Sequence, residues 1–198
     1  MRRLILSLAG MAALSAAVPA QAQFSESYKF LEAVRKKEGE KVTQALADPA
    51  QTVINTRDVT SGESALHIVT NRRDLTWMQF LIAKGANVNA RDAKGMTPLV
   101  SAVNANFVEG VELLLTKGAR LNDSNNAGET PLITAVHNRN IAVMRLLLKA
   151  GADPDRADNS GRSAKDYAKL GGGSLLTEIE NNAKAKGDDK TKSYGPKF

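Results

Sequence analysis

The chain has 198 residues, 42% of them hydrophobic and only 5% aromatic, with no cysteine and a net charge of +6. That length allows one ordinary domain or one short repeat array, and small aliphatic side chains must do most of the packing. The lack of thiols excludes disulfide staples, zinc–thiolate sites and iron–sulfur clusters. The charge is concentrated at the ends. Arg2 and Arg3 supply two of the positive charges, and five lysines against Asp188 and Asp189 supply three more beyond residue 180. The stretch between is nearly neutral, which argues against a nucleic-acid-binding face.

The N-terminus reads as a separate object. Arg2 and Arg3 precede an uncharged apolar run from Leu4 to Val18, and Ala20-Gln21-Ala22 fits a small-x-small cleavage pattern. The run is shorter than the ~20 residues a spanning helix needs. A cleavable signal segment is therefore expected over 1–22, with cleavage near Ala22/Gln23. A periplasmic or secreted product follows, with no membrane span.

From residue 27 the chain turns amphipathic. Phe30, Leu31, Val34, Val42, Ala45 and Leu46 form an apolar stripe. Glu32, Arg35, Lys36, Lys37, Glu40 and Lys41 form a wet face. A capping unit is expected over about 27–61. Beyond it a period appears. Gly62, Gly95, Gly128 and Gly161 stand 33 residues apart and open GESALHIVT, GMTPLVSAV, GETPLITAV and GRSAKDYAK. Gly85, Gly118 and Gly151 keep the same step in LIAKGANVN, LLTKGARLN and LLKAGADPD. These residues resemble the ankyrin repeat, a 33-residue unit with a TPL-type opening to its first helix. The resemblance implies an all-α solenoid of about five helix-turn-helix units joined by β-hairpin-like fingers. The ankyrin-like domain is expected over 23–183, with internal repeats 62–94, 95–127 and 128–160, a C-terminal cap 161–183 and a disordered basic tail 184–198.

Within a unit the residues have physical roles. Thr130 should cap a helix, and Pro131 should sit at its first position, where the missing N–H costs nothing. Ile141, Val143, Met144, Leu146, Leu147 and Leu148 make the second helix apolar on much of its surface, so neighbouring repeats must cover it. Gly151 should end it in the left-handed conformation. Where ankyrin units usually place glycine between the two helices, Arg73, Asn106 and Arg139 stand instead. For arginine a positive φ carries strain.

Few residues look reactive. His67 falls on the histidine position of the TPLH pattern and is expected to tie neighbouring repeats. His137 and Glu129 are the candidate acid/base pair, but Glu129 lies eight residues back, before the helix begins, without helical register. The Gly171–Ser174 GGGS stretch lacks the Lys-Ser/Thr of a phosphate loop and reads as a turn. Trp77 reads as core. No catalytic residue, metal ligand or cofactor is expected.

The resemblance implies that a partner protein is gripped by finger tips and exposed first-helix positions. By register, the first internal repeat offers Thr60, Ser61, Glu63, Asn71, Arg72 and Arg91. The second offers Lys94, Met96, Asn104 and Ser124. The third offers Glu129, His137 and Asn138, preceded by Asn126 at the finger tip. Asn159 and Arg162 complete the set. The expected function is a monomeric, non-enzymatic module that binds an exported protein to stabilise, deliver or regulate it. An immunity or inhibitor protein acting on a toxin is the alternative, and an enzyme using His137 and Glu129 the more remote one.

Overall fold

The computed structural model describes residues 20–47 and 53–191. Residues 1–19, which hold most of the expected signal segment, lie outside it. The helices run in chain order: α1 Ala20–Lys36, α2 Gly39–Ala45, α3 Ala65–Asn71, α4 Leu75–Ala83 and α5 Pro98–Asn104. They continue with α6 Val108–Thr116, α7 Pro131–His137, α8 Ile141–Ala150, α9 Ala164–Gly171 and α10 Gly173–Thr191. A single 3-10 turn, Val53–Asn55, leads from the first pair towards α3. Among the described residues there is no β-strand, and the fingers carry only the isolated bridges Arg57–Ser64 and Ala157–Ser163.

The helices stack in two rows. The first helices α1, α3, α5, α7 and α9 pack each on the next, and α4, α6, α8 and α10 form the second row. A first helix in mid-array is flanked on both sides and backed by its own second helix. Residues Pro98–Val103 of α5 and Pro131–Val136 of α7 are accordingly buried. At the C-terminal end α9 buries only Ala164 and Ala168, as a capping helix with a wet face should.

Local sequence explains the helix starts. Thr130 Oγ1 accepts the Ile133 amide at 3.2 Å and Thr97 Oγ1 that of Val100 at 3.4 Å, each followed by proline at the first helical position. Ser163 and Asp166 form a reciprocal box, with Oγ accepting the Asp166 amide at 3.2 Å and the carboxylate accepting the Ser163 amide at 3.1 Å. Such caps contribute about 1 kcal/mol each. The turns between paired helices keep the left-handed backbone although glycine is absent: φ is 58° at Arg73, 49° at Asn106 and 51° at Arg139, with Lys37 alike at 60°.

Three expectations change. Trp77, read as core, is only half-buried. Its ring lies edge-on to Phe80 with centroids 6.1 Å apart and lines a cleft with Gly39, Thr43 and Thr76. The short α2 does not cover it as a full-length second helix would. Ile141 is 37% exposed, because it stands in the first turn of α8, outside the stripe Val143, Met144, Leu147 and Leu148. The last helix runs on to Thr191, past the expected domain end at 183. Ala183, Lys184, Ala185 and Lys186 are good helix formers, with no glycine before Gly187. Residues 192–198 lie outside the described residues.

Repeats are joined by two hydrogen-bond ladders. In the first, asparagine side chains bridge the loops that follow second helices. Asn55 donates to the Gly85 carbonyl at 3.2 Å and accepts the Asn87 amide at 2.8 Å. Asn89 does the same to Gly118 and Arg120, at 3.4 and 2.9 Å. In the second, fingers bond backbone to backbone: Ala93 N–H to Ser61 O at 2.9 Å, Asn126 N–H to Lys94 O at 2.9 Å and Asn159 N–H to Ala127 O at 3.0 Å.

The finger ladder needs glycine twice over. Gly128 has φ 82°, and a Cβ placed on it would stand 2.6 Å from the Asn159 nitrogen of the next finger. Gly161 has the same conformation, φ 80°, but no finger follows it and a Cβ there meets nothing within 4 Å. Gly161→Ala should therefore cost only the left-handed conformation, about 1–2 kcal/mol. Gly128→Ala should cost at least about 1 kcal/mol more through overlap with the next finger. Urea unfolding of both variants measures this, and equal losses would deny the close finger approach.

Candidate partner-binding face

The expected contact residues all lie at finger tips or first-helix ends, and none is fully buried. The structure sorts them by what their polar atoms already do. Five reach into the neighbouring repeat. Arg72 Nη1 donates to the Val34 carbonyl at 2.8 Å, and its guanidinium also lies 3.3 Å from Asp74 and over the Trp77 ring. Arg91 donates to the Ser124 carbonyl and lies 3.7 Å from Asp123. Asn126 donates to Ala93 O at 3.1 Å, Asn138 to Val103 O at 3.1 Å and Asn159 to Asn126 O at 3.0 Å. These side chains hold repeats together, so their loss would disturb the array as well as any contact.

A second group pairs within its own unit. Asn71 donates to Glu63 at 2.9 Å, and the Asn104 amide faces the Met96 sulfur at 3.6 Å. Glu129 Oε1 lies 3.6 Å from His137 Nδ1. The spacing argument against this last pair is therefore corrected: Glu129 and His137 do meet. Side chains at a helix end lean towards its N-terminus, which carries residue 137 back over residue 129. The same eight-residue pairing occurs in all three internal repeats, once with Glu and Asn and once with Met and Asn. It belongs to the geometry of the repeat. Glu129 also accepts the Asn125 amide group at 2.8 Å. Among the described residues no group of three His, Asp or Glu is placed to hold a metal.

One residue of this face was not foreseen. Tyr167, on α9, lies edge-to-face with the His137 ring at 4.4 Å between centroids. Its hydroxyl donates to Asp158 at 2.7 Å, and the Arg162 guanidinium stands 5.9 Å from its ring centre. Position 167 belongs to the next repeat, so nothing within the GETPLITAVHNRN unit could reveal it.

The finger turns are fixed by acceptors at equivalent places. Asp58 accepts the Thr60 and Ser61 amides, both at 2.9 Å, and Arg35 at 2.7 Å, so Arg35 is not merely a wet-face residue. Asp92, Asn125 and Asp158 accept amides in the following fingers. The Ser61 amide, followed by Arg35, holds the Asp58 carboxyl well below the usual carboxylate range. The Ser160 hydroxyl and then Tyr167 do the same for Asp158. The Asp58 and Asp158 turns thus keep their ionised acceptors in mild acid, and Thr60 and Lys94 stand exposed at the finger tips.

His67 has the structural part expected of it. It is buried, its Nδ1 accepts the Ser64 amide at 3.2 Å, and its Nε2 donates to Met96 O in the next repeat at 3.0 Å. That pattern requires the neutral ring, because a protonated Nδ1 would face an N–H donor.

Two stacked rows of paired helices with a finger at every step define a helical repeat solenoid that displays one side-chain face. A family model described as ankyrin repeats (3 copies) matches residues 30–125, and another described as ankyrin repeats (many copies) matches residues 114–168. The chain belongs to the ankyrin repeat family and forms a protein–protein interaction module of that kind. No curated protein matches it.

Burial lowers the pKa of His67 below its ordinary 6.5. The unfolded chain then takes up the proton first, so the stability is complete above pH 6.5 and falls as pH drops below it towards the folded pKa. Urea midpoints of the wild type should fall between pH 7 and pH 5, and those of His67→Gln should fall less. The same fall in both proteins would remove His67 from this role.

Proposed function

We propose that this protein is a non-enzymatic module that binds an exported protein in the periplasm through its finger tips and first-helix ends. The observation that carries the reading is the division of labour on that face. The side chains of Arg72, Arg91 and Asn138 are engaged between repeats, whereas among the described residues the side chains of Lys94, Met96, Asn104, His137 and Arg162 make no hydrogen bond to a neighbouring repeat's backbone. A rigid array holds these side chains in fixed register, which lowers the ordering cost of gripping a folded surface. The mixture is polar with one thioether, chemistry suited to a protein surface more than to a greasy ligand. Export rests on the basic, apolar and small-x-small pattern of residues 1–22. The Glu129–His137 pair serves as part of the contact surface.

Photocrosslinking in cells tests the proposal. A benzoylphenylalanine at Asn104 should trap a discrete partner, and one at Lys117, on the far end of a second helix, should not. Equal trapping at both sites, or none at Asn104, would sink the assignment. The intact mass of the protein recovered from the periplasm should correspond to a chain starting at about Gln23. An unprocessed cytoplasmic chain would refute the location.

A further inference from the structure

At two junctions between first helices the residue just past the helix reaches back to the previous repeat. Arg72 bonds to Val34 O and Asn138 to Val103 O. One repeat further on, the equivalent of Asn138 is Gly171, which has no side chain to make the tie. A cleft of about 250 Å³ opens between α7 and α9 there, walled by Val136, His137 and Tyr167 and floored by Gly171 and Leu175. Its rim carries Arg139 and Leu170, the latter 73% exposed. The His137–Tyr167 wall is fixed from behind by the Asp158 bond to the tyrosine hydroxyl.

Arg139 gives the cleft its sign. It holds φ 51°, a conformation glycine adopts freely, at a cost of order 1 kcal/mol. Among the described residues no carboxylate lies within ion-pairing distance of it, and no carboxylate lines the cleft. Of the other cations at these turns, Lys37 lies 3.8 Å from Asp74 and the Arg73 guanidinium stands 5.7 Å from the centre of the Phe107 ring, away from any such cleft. One unanswered guanidinium beside a recess and a protruding leucine suits a side chain entering the recess. A continuous cationic plane, as an anionic membrane would require, is absent from this edge.

Building on the binding-module reading, we propose that the α7/α9 cleft is a second docking point. It takes an acidic segment of a protein partner in which an aliphatic side chain sits next to a carboxylate. The carboxylate pairs with Arg139, and the aliphatic group packs on Leu170 and the Tyr167 ring.

The test is a ¹⁵N NMR titration of the whole mature protein with acetyl-Glu-Glu-Leu-Glu-amide. Controls are the matching Gln-Gln-Leu-Gln peptide and phosphatidylglycerol vesicles. The acidic peptide should move the Arg139, Leu170 and Gly171 amides, less so at high salt, and the glutamine peptide should not. Arg139→Gly should weaken binding about tenfold without lowering the urea midpoint, since glycine adopts the turn freely. Gly171→Asn should supply the missing tie to Val136 O and exclude the peptide. Shifts elsewhere, undiminished binding by Arg139→Gly, or a response to vesicles and not to the peptide would each overturn the proposal. Such a failure would leave the crosslinking result at Asn104 untouched, because the two surfaces carry different substitutions.

Discussion

The structure depends on how closely one finger approaches the next. The backbone bonds Ala93 to Ser61, Asn126 to Lys94 and Asn159 to Ala127 bring consecutive fingers so near that a side chain on Gly128 would strike the next one. That approach sets the step of the array. Once the step is set, each first helix in mid-array is pressed between two others, so α5 and α7 bury Leu99, Val103, Leu132 and Val136 completely or nearly so. Burial of this order, about 1.5–3 kcal/mol per large aliphatic side chain, is available to no single repeat standing alone. Where the ladder ends, at Gly161, the helices become polar and α10 closes the stack, clamped by the bidentate Arg145–Glu178 pair at 2.7 Å.

The same constraint divides the surface. A side chain long enough to cross the step becomes a tie, as Arg72 and Asn138 do. One that pairs within its own unit stays available, as Asn104 and His137 do. Function in such a protein is what the stacking leaves over. The Glu129–His137–Tyr167 cluster shows this well. It gathers a carboxylate, an imidazole and a phenol, yet each has a place in the repeat geometry or in the wall between repeats. A partner would meet it as a shaped and polar surface.

The repeat period was plain in the amino-acid sequence because two glycine series and the TPL pattern mark it independently, and each has a backbone reason: a positive φ, a cap and a fixed first-turn φ. The reach of side chains was not. Register places Arg72, Ala105, Asn138 and Gly171 at one kind of position, but only their lengths decide which of them crosses to the previous helix. Trp77 reads as core because it stands at an apolar second-helix position equivalent to Val143; the short α2 above it decides otherwise. Tyr167 stayed hidden because its partner lies 30 residues away. The Glu129–His137 contact was missed because helical periodicity says nothing about a residue that precedes the helix.

Amide hydrogen exchange resolved at Ala93, Asn126 and Asn159 probes the finger ladder most directly. If finger stacking holds the array, these three amides should be protected to within about tenfold of the buried helical amides of Val103 and Val136, opening with them as one unit. Exchange near the unprotected rate at the fingers, with α5 and α7 still protected, would show that the helices stack without the ladder and would contradict the central claim.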